Sequence, residues 1–170
     1  MSILFCEGPE TFSLSNRDLV LLQAYLDTDY VIDLGEETKP SVLLAGEAYP
    51  DELDRYSWEK GLAVITAWNP CSQSLSLNDN HSRQKALMSE LQRNGFGPIY
   101  PAVGKSRSGA WAEDSLAIFD ISMQDAQHFG QLYGQNAILW VSRGGKPLIV
   151  LCAPFWSNGR VNPTSIEDDD

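Results

Sequence analysis

The stretch GLAVITAWNPCSQSLSLNDNHSR, residues 61–83, decides how this chain is read. A nearly unbroken apolar run from Leu62 to Ala67 ends in polar and turn-forming residues, Thr66, Asn69, Pro70 and Ser72. A helix pattern then starts near Ser76. Such a run, bounded by turn formers, describes a buried strand that delivers polar side chains to one edge of a sheet.

Working outward, Ser76 with Asp79 forms a capping box for a helix running to about Asn94, with Leu87, Met88 and Leu91 on its buried stripe and Gly95 as its stop. Pro98–Val103 reads as a second strand, and its two prolines place it at an edge. The loop GKSRSGAW returns the chain into a third strand, Ser115–Phe119. Ser122 and Asp125 repeat the capping box for a second helix whose apolar face is Ala126, Phe129 and Tyr133 and which closes at Gly134. Ala137–Val141 is strand four, SRGGKP a hairpin turn and Leu148–Cys152 strand five.

The order βαββαβ is that of a ferredoxin-like module. The expected class is therefore α+β, with an antiparallel sheet in which these five strands stand in the order 5-4-1-3-2. Strand four is apolar throughout, so strand five has to cover its open side.

Residues 1–56 read as an acidic α/β extension packed on a main domain of residues 57–153, followed by an acidic tail, 154–170. In the extension, residues 15–26 predict a helix capped by Ser15, and Tyr30–Leu34 and Ser41–Ala45 two short strands flanking GEETKP. Residues 1–60 carry 13 acids and 4 bases, whereas residues 61–141 carry 6 and 5, so the net charge of −11 belongs mainly to the N-terminal third. That sign opposes nonspecific binding to nucleic acid or an anionic membrane. No apolar run reaches the roughly 18 residues of a membrane span and no basic, then apolar leader opens the chain, so a soluble, cytoplasmic protein is expected. Cys6, Cys71 and Cys152 are widely spaced, which argues for reduced thiols, and two histidines exclude a His-rich metal centre. No motif names a cofactor.

With strand one running upward, four places meet at the top rim: its end, the start of the first helix, the hairpin between strands two and three, and the entry to strand four. They hold Thr66, Asn69 and Ser72; Asn80 and Arg83; residues Gly104 to Glu113, Trp111 among them; and Gln135 with Asn136. Asn80 and Arg83 precede Leu87 by seven and four residues, which sets both on the inward stripe at the helix start. Arg83 there is either an anion clamp, with Lys105 and Arg107 adding charge, or the partner of Glu113. Glu113 beside Trp111 is a candidate general acid or base if partly desolvated. Gln135 and Asn136 either read a ligand or satisfy backbone where helix gives way to strand. Cys71 and His81 lack an orienting third residue and make a weak nucleophile pair.

The motifs ITAWNP with Ser72, then Asn80 and Arg83, Gly104, WAEDS and YGQNAILW resemble the DUF3293 family of uncharacterised bacterial and phage proteins over roughly residues 57–141. The resemblance implies no particular activity, and Cys71 is not among the residues that carry it.

The residues together describe a rim pocket for a small polar or anionic ligand such as a nucleotide, with hydrolysis assisted by Glu113 and charge stabilised by Arg83. The rival reading is a noncatalytic module whose acidic N-terminal region engages a basic protein.

Overall fold

The computed structural model describes residues 3–4, 16–35 and 39–152. The expected cap at Ser15, together with Cys6 and the tail 154–170, lies outside the described residues. Its elements are β1 (Ile3–Leu4), α1 (Asn16–Leu26), β2 (Thr28–Ile32), β3 (Ser41–Leu43), β4 (Leu62–Ile65), α2 (Leu77–Arg93), β5 (Ile99–Ser106), β6 (Ala112–Phe119), α3 (Met123–Leu132), β7 (Ala137–Val141) and β8 (Leu148–Leu151). The class is α+β, built on one eight-stranded sheet in the order β1-β8-β7-β4-β6-β5-β2-β3. All neighbours are antiparallel except β1 and β8.

Both long helices begin where the capping boxes put them. Ser76 Oγ accepts the Asp79 N–H and Ser122 Oγ the Asp125 N–H, each at 3.1 Å, supplying acceptors to helix-start N–H groups that have no intrahelical partner. Gly95 and Gly134 follow the helix ends with positive φ, +78° and +72°, a conformation glycine adopts without steric cost.

Two expectations are corrected. The strand carrying the prolines is not an edge, because β2 pairs along β5 from Thr28 opposite Ser106 to Ile32 opposite Ala102. Pro101 is tolerated because its carbonyl accepts the Asp33 N–H (2.9 Å). The N and C=O of one strand residue point the same way, so the missing N–H faces a neighbour whose ladder has already ended at Ile32. The hairpin loop is also shorter than read: β5 continues through Gly104 to Ser106 and β6 begins at Ala112, ahead of the expected Ser115. The N-terminal region thus continues the sheet, and β2 and β3 form its far side as a hairpin.

The sheet separates two apolar layers, as the period-2 alternation of strands requires. On one face Ile65, Leu116, Ile118 and Ile138 pack with Leu87 and Leu91 of α2 and with Ala126 and Phe129 of α3. On the other face Val64, Ala117, Phe119 and Leu139 pack with Leu22 of α1, Leu53, Trp58 and the inward residues of β2 and β3. Among the described residues no helix is long and apolar enough to cross a membrane.

Candidate functional site

Beyond Ile65 the chain leaves β4 and turns sharply. Asn69, Cys71 and Ser72 all have positive φ, at +43°, +55° and +58°. Three left-handed non-glycine residues so close together cost conformational energy and persist only where surrounding contacts hold them. Those contacts are specific. Asn80, buried on the first turn of α2, accepts the Asn69 N–H through Oδ1 and donates through Nδ2 to Asn69 Oδ1, each at 3.0 Å. Asn69 Oδ1 also accepts the Leu75 N–H (3.0 Å). The Cys71 N–H donates to the Gly134 carbonyl (2.8 Å). The fit there is close, since a Cβ on Gly134 would lie 2.9 Å from Pro70 Cβ.

The remaining donor of Asn69 reaches across the sheet rim. Its Nδ2 donates to Glu113 Oε1 at 2.7 Å. Glu113 continues the row of Ala117 and Phe119 along β6, so it emerges on the α1 face. Burial raises the Glu113 carboxyl above its ordinary range, and the hydrogen bond from Asn69 offsets part of that rise. Across from it stands Tyr25 of α1. Burial first and the nearby Glu113 charge second push the Tyr25 phenol upward, while the Ala137 N–H and the Asn136 amide facing its oxygen pull the other way.

Between α1 and this rim lies a cavity of about 310 Å³. Six of the residues expected at the rim line it: Asn69, Ser72, Trp111, Glu113, Gln135 and Asn136. Asn136 donates to Ser72 Oγ and Gln135 to the Trp68 carbonyl, both at 2.8 Å, so the two amides also brace the strained turn. Trp111 is 40% exposed and sits at the mouth. Gly104 leaves room beneath it, where an added Cβ would come within 4.0 Å of Trp111 Cζ3.

Three expected residues stand outside the lining. Thr66 donates to the Asp114 carbonyl (2.7 Å), and Asn80 is spent on holding Asn69. Arg83 belongs to the opposite, α2 face of the sheet. Its guanidinium donates to the carbonyls of Ala67 (2.7 Å) and Tyr133 and lies 5.8 Å from the Tyr133 ring centre. It therefore joins the end of β4 to the end of α3, and neither the clamp nor the Glu113 partnership describes its contacts. Arg107 likewise pairs with Asp29 (3.1 Å) and Asp27 (4.0 Å). Cys71 is exposed, and His81 turns instead to Asp114 (3.7 Å) and the Trp68 ring.

The wall that sequence reasoning missed is α1. Leu21, Ala24 and Tyr25 of α1 face the cavity at positions i, i+3 and i+4, a helical stripe in which the tyrosine was the available signal, and Thr28 at the start of β2 stands beside them. Among the described residues no group of three or more His, Cys, Asp or Glu side chains is placed to hold a metal ion.

Residues 65–138 match the family model described as Protein of unknown function (DUF3293). That segment holds Asn69, Ser72, Trp111, Glu113, Gln135 and Asn136, whereas Tyr25 lies outside it. No curated protein and no solved structure matches the chain.

Proposed function

We propose that the cavity between α1 and the sheet rim binds a small polar molecule and that Glu113 is its proton-handling group. One observation carries the reading: a carboxyl lifted by burial faces a cavity and is steered by a built hydrogen-bond relay, Asn80 to Asn69 to Glu113. A desolvated carboxyl beside a cavity is a candidate acid or base. The volume is at the lower end of that for small-molecule sites, enough for a nucleoside-sized ligand. The described lining contains no lysine or arginine, and Arg83 is committed elsewhere, so the reading narrows from anionic to neutral polar ligands.

Hydrolysis is the furthest chemistry this reading reaches, with Glu113 accepting a proton from an attacking water. The protein would act in the cytoplasm, on a ferredoxin-like module of residues 57–153 to which residues 1–56 contribute the wall containing Tyr25.

A second reading, a noncatalytic interaction module, draws support from Leu19 and Val20, which are 50% and 73% exposed on α1. Thermal-shift screening of the full chain with nucleosides, nucleotides and small amides, in wild type and Glu113→Gln, tests the choice. Stabilisation by neutral compounds that weakens in the variant supports the cavity. If no compound stabilises either protein, the interaction module is the better account.

A further inference from the structure

The polar wall of the cavity is largely occupied by its own bonds. The Asn69 side chain is shared among Glu113, Asn80 and Leu75, Gln135 donates to Trp68 and Asn136 to Ser72. Two ionisable groups of the described lining keep free valences toward the cavity. Glu113 uses Oε1 for Asn69, and its Oε2 meets no donor among the described residues. The Tyr25 hydroxyl has one proton to donate. No acceptor for that proton occurs among the described residues, and Tyr25 lines the same cavity as Glu113.

Resting on the reading of this cavity as a ligand site, the geometry points to a neutral ligand that carries a carbonyl next to an N–H, as in a lactam, an imide or an oxo-pyrimidine or oxo-purine ring. Tyr25 donates to the carbonyl and Glu113 accepts the N–H. Both contacts are needed, because a buried donor or acceptor left unpaired costs more than the bond itself contributes. The phenol keeps its proton at neutral pH, since burial shifts it upward. Trp111 at the mouth offers a flat apolar face to the ring. A phosphate group finds no basic side chain in the described lining and meets the Glu113 charge, so phosphorylated forms are disfavoured.

The test is titration of the 15N-labelled full chain with uracil, hypoxanthine, 1,3-dimethyluracil and uridine monophosphate, followed through the amide resonances of the cavity. Uracil or hypoxanthine should bind about tenfold or more tightly than the dimethyl compound, which lacks the N–H. Tyr25→Phe and Glu113→Leu should each lower that affinity by about tenfold while leaving the remaining spectrum intact. The inference fails if the dimethyl compound or the monophosphate binds as well as uracil, or if Tyr25→Phe binds as wild type does. If neither uracil nor hypoxanthine binds but other small polar molecules shift the same resonances, the carbonyl and N–H specificity is wrong and the cavity reading survives. If nothing shifts them, both fall.

Discussion

Asn69 Nδ2 lies 2.7 Å from Glu113 Oε1, a hydrogen bond that crosses the rim of the sheet and joins the α2 layer to the α1 layer. A donor to a carboxylate favours its charged form, so this bond holds the Glu113 carboxyl lower than burial alone would. Removing the donor should therefore raise the carboxyl further. Asn69→Gly is the suitable variant, because glycine accepts the φ of +43° that alanine would resist. Observation of the Glu113 side-chain carbon by 13C NMR across a pH titration should show a higher midpoint in the variant. Asn80→Ala, which frees Asn69, should move it in the same direction by less. An unchanged midpoint in Asn69→Gly would show that the bond does not tune Glu113.

Arg83 has its two hydrogen bonds on backbone carbonyls of separate elements, so its removal is expected to act on stability. Each carbonyl loses a charged donor, and Arg83→Ala should lower the unfolding free energy by about 2 kcal/mol. Lysine cannot reproduce the planar fork, so Arg83→Lys should recover only part of it. Urea unfolding measures the loss. The Glu113 midpoint should stay at its wild-type value in both variants, and a shift would return Arg83 to the site.

Much of this arrangement was legible in the sequence, and the omissions have physical causes. Capping boxes are local, four-residue devices, so Ser76 and Ser122 located both helix starts. Continuous apolar runs bounded by turn residues located β4, β7 and β8. What local pattern does not encode is which strand a distant segment joins. The prolines of β5 argued for an edge, yet β2 pairs there because Pro101 points its missing N–H past the end of β2. The same limit hid Tyr25, whose role depends on α1 lying over the rim. Arg83 bonds the Ala67 carbonyl and Glu113 the Asn69 amide, both just beyond β4, but their separation by the sheet follows from alternation along β6: Leu116 and Ile118 face α2, while Glu113 shares the row of Ala117 and Phe119.

Gly130 on α3 tests how tightly that helix is packed. A Cβ there would come to 2.4 Å from Cys152 Sγ and 2.9 Å from Ile138 Cγ2, and both partners are buried. Helix propensity favours alanine over glycine by about 1 kcal/mol, but overpacking a filled core costs about 1 to 3 kcal/mol. Packing should win, and Gly130→Ala should lower the melting temperature measured by circular dichroism. A higher melting temperature would mean that α3 moves off the sheet at little cost.

Glu113 also sets a pH dependence of stability with a definite sign. Its folded carboxyl titrates above its ordinary value, so in the window between the unfolded and folded midpoints the native state holds the proton that the unfolded state has lost. The native state binds more protons there, and stability falls as pH rises through the window. Above it the cost of burying the charge is fully present, and below it the cost is absent. Glu113→Gln keeps an oxygen for Asn69 and carries no charge, so it removes that dependence. The variant should match wild type near pH 4 and exceed it at pH 8 by a few degrees in melting temperature, a modest gain because the side chain is partly solvent-screened. Differential scanning calorimetry at the two pH values decides it. A variant less stable than wild type at pH 8 would mean that the ionised carboxylate is held by favourable contacts, and Glu113 would then lose its standing as a destabilised, proton-handling group.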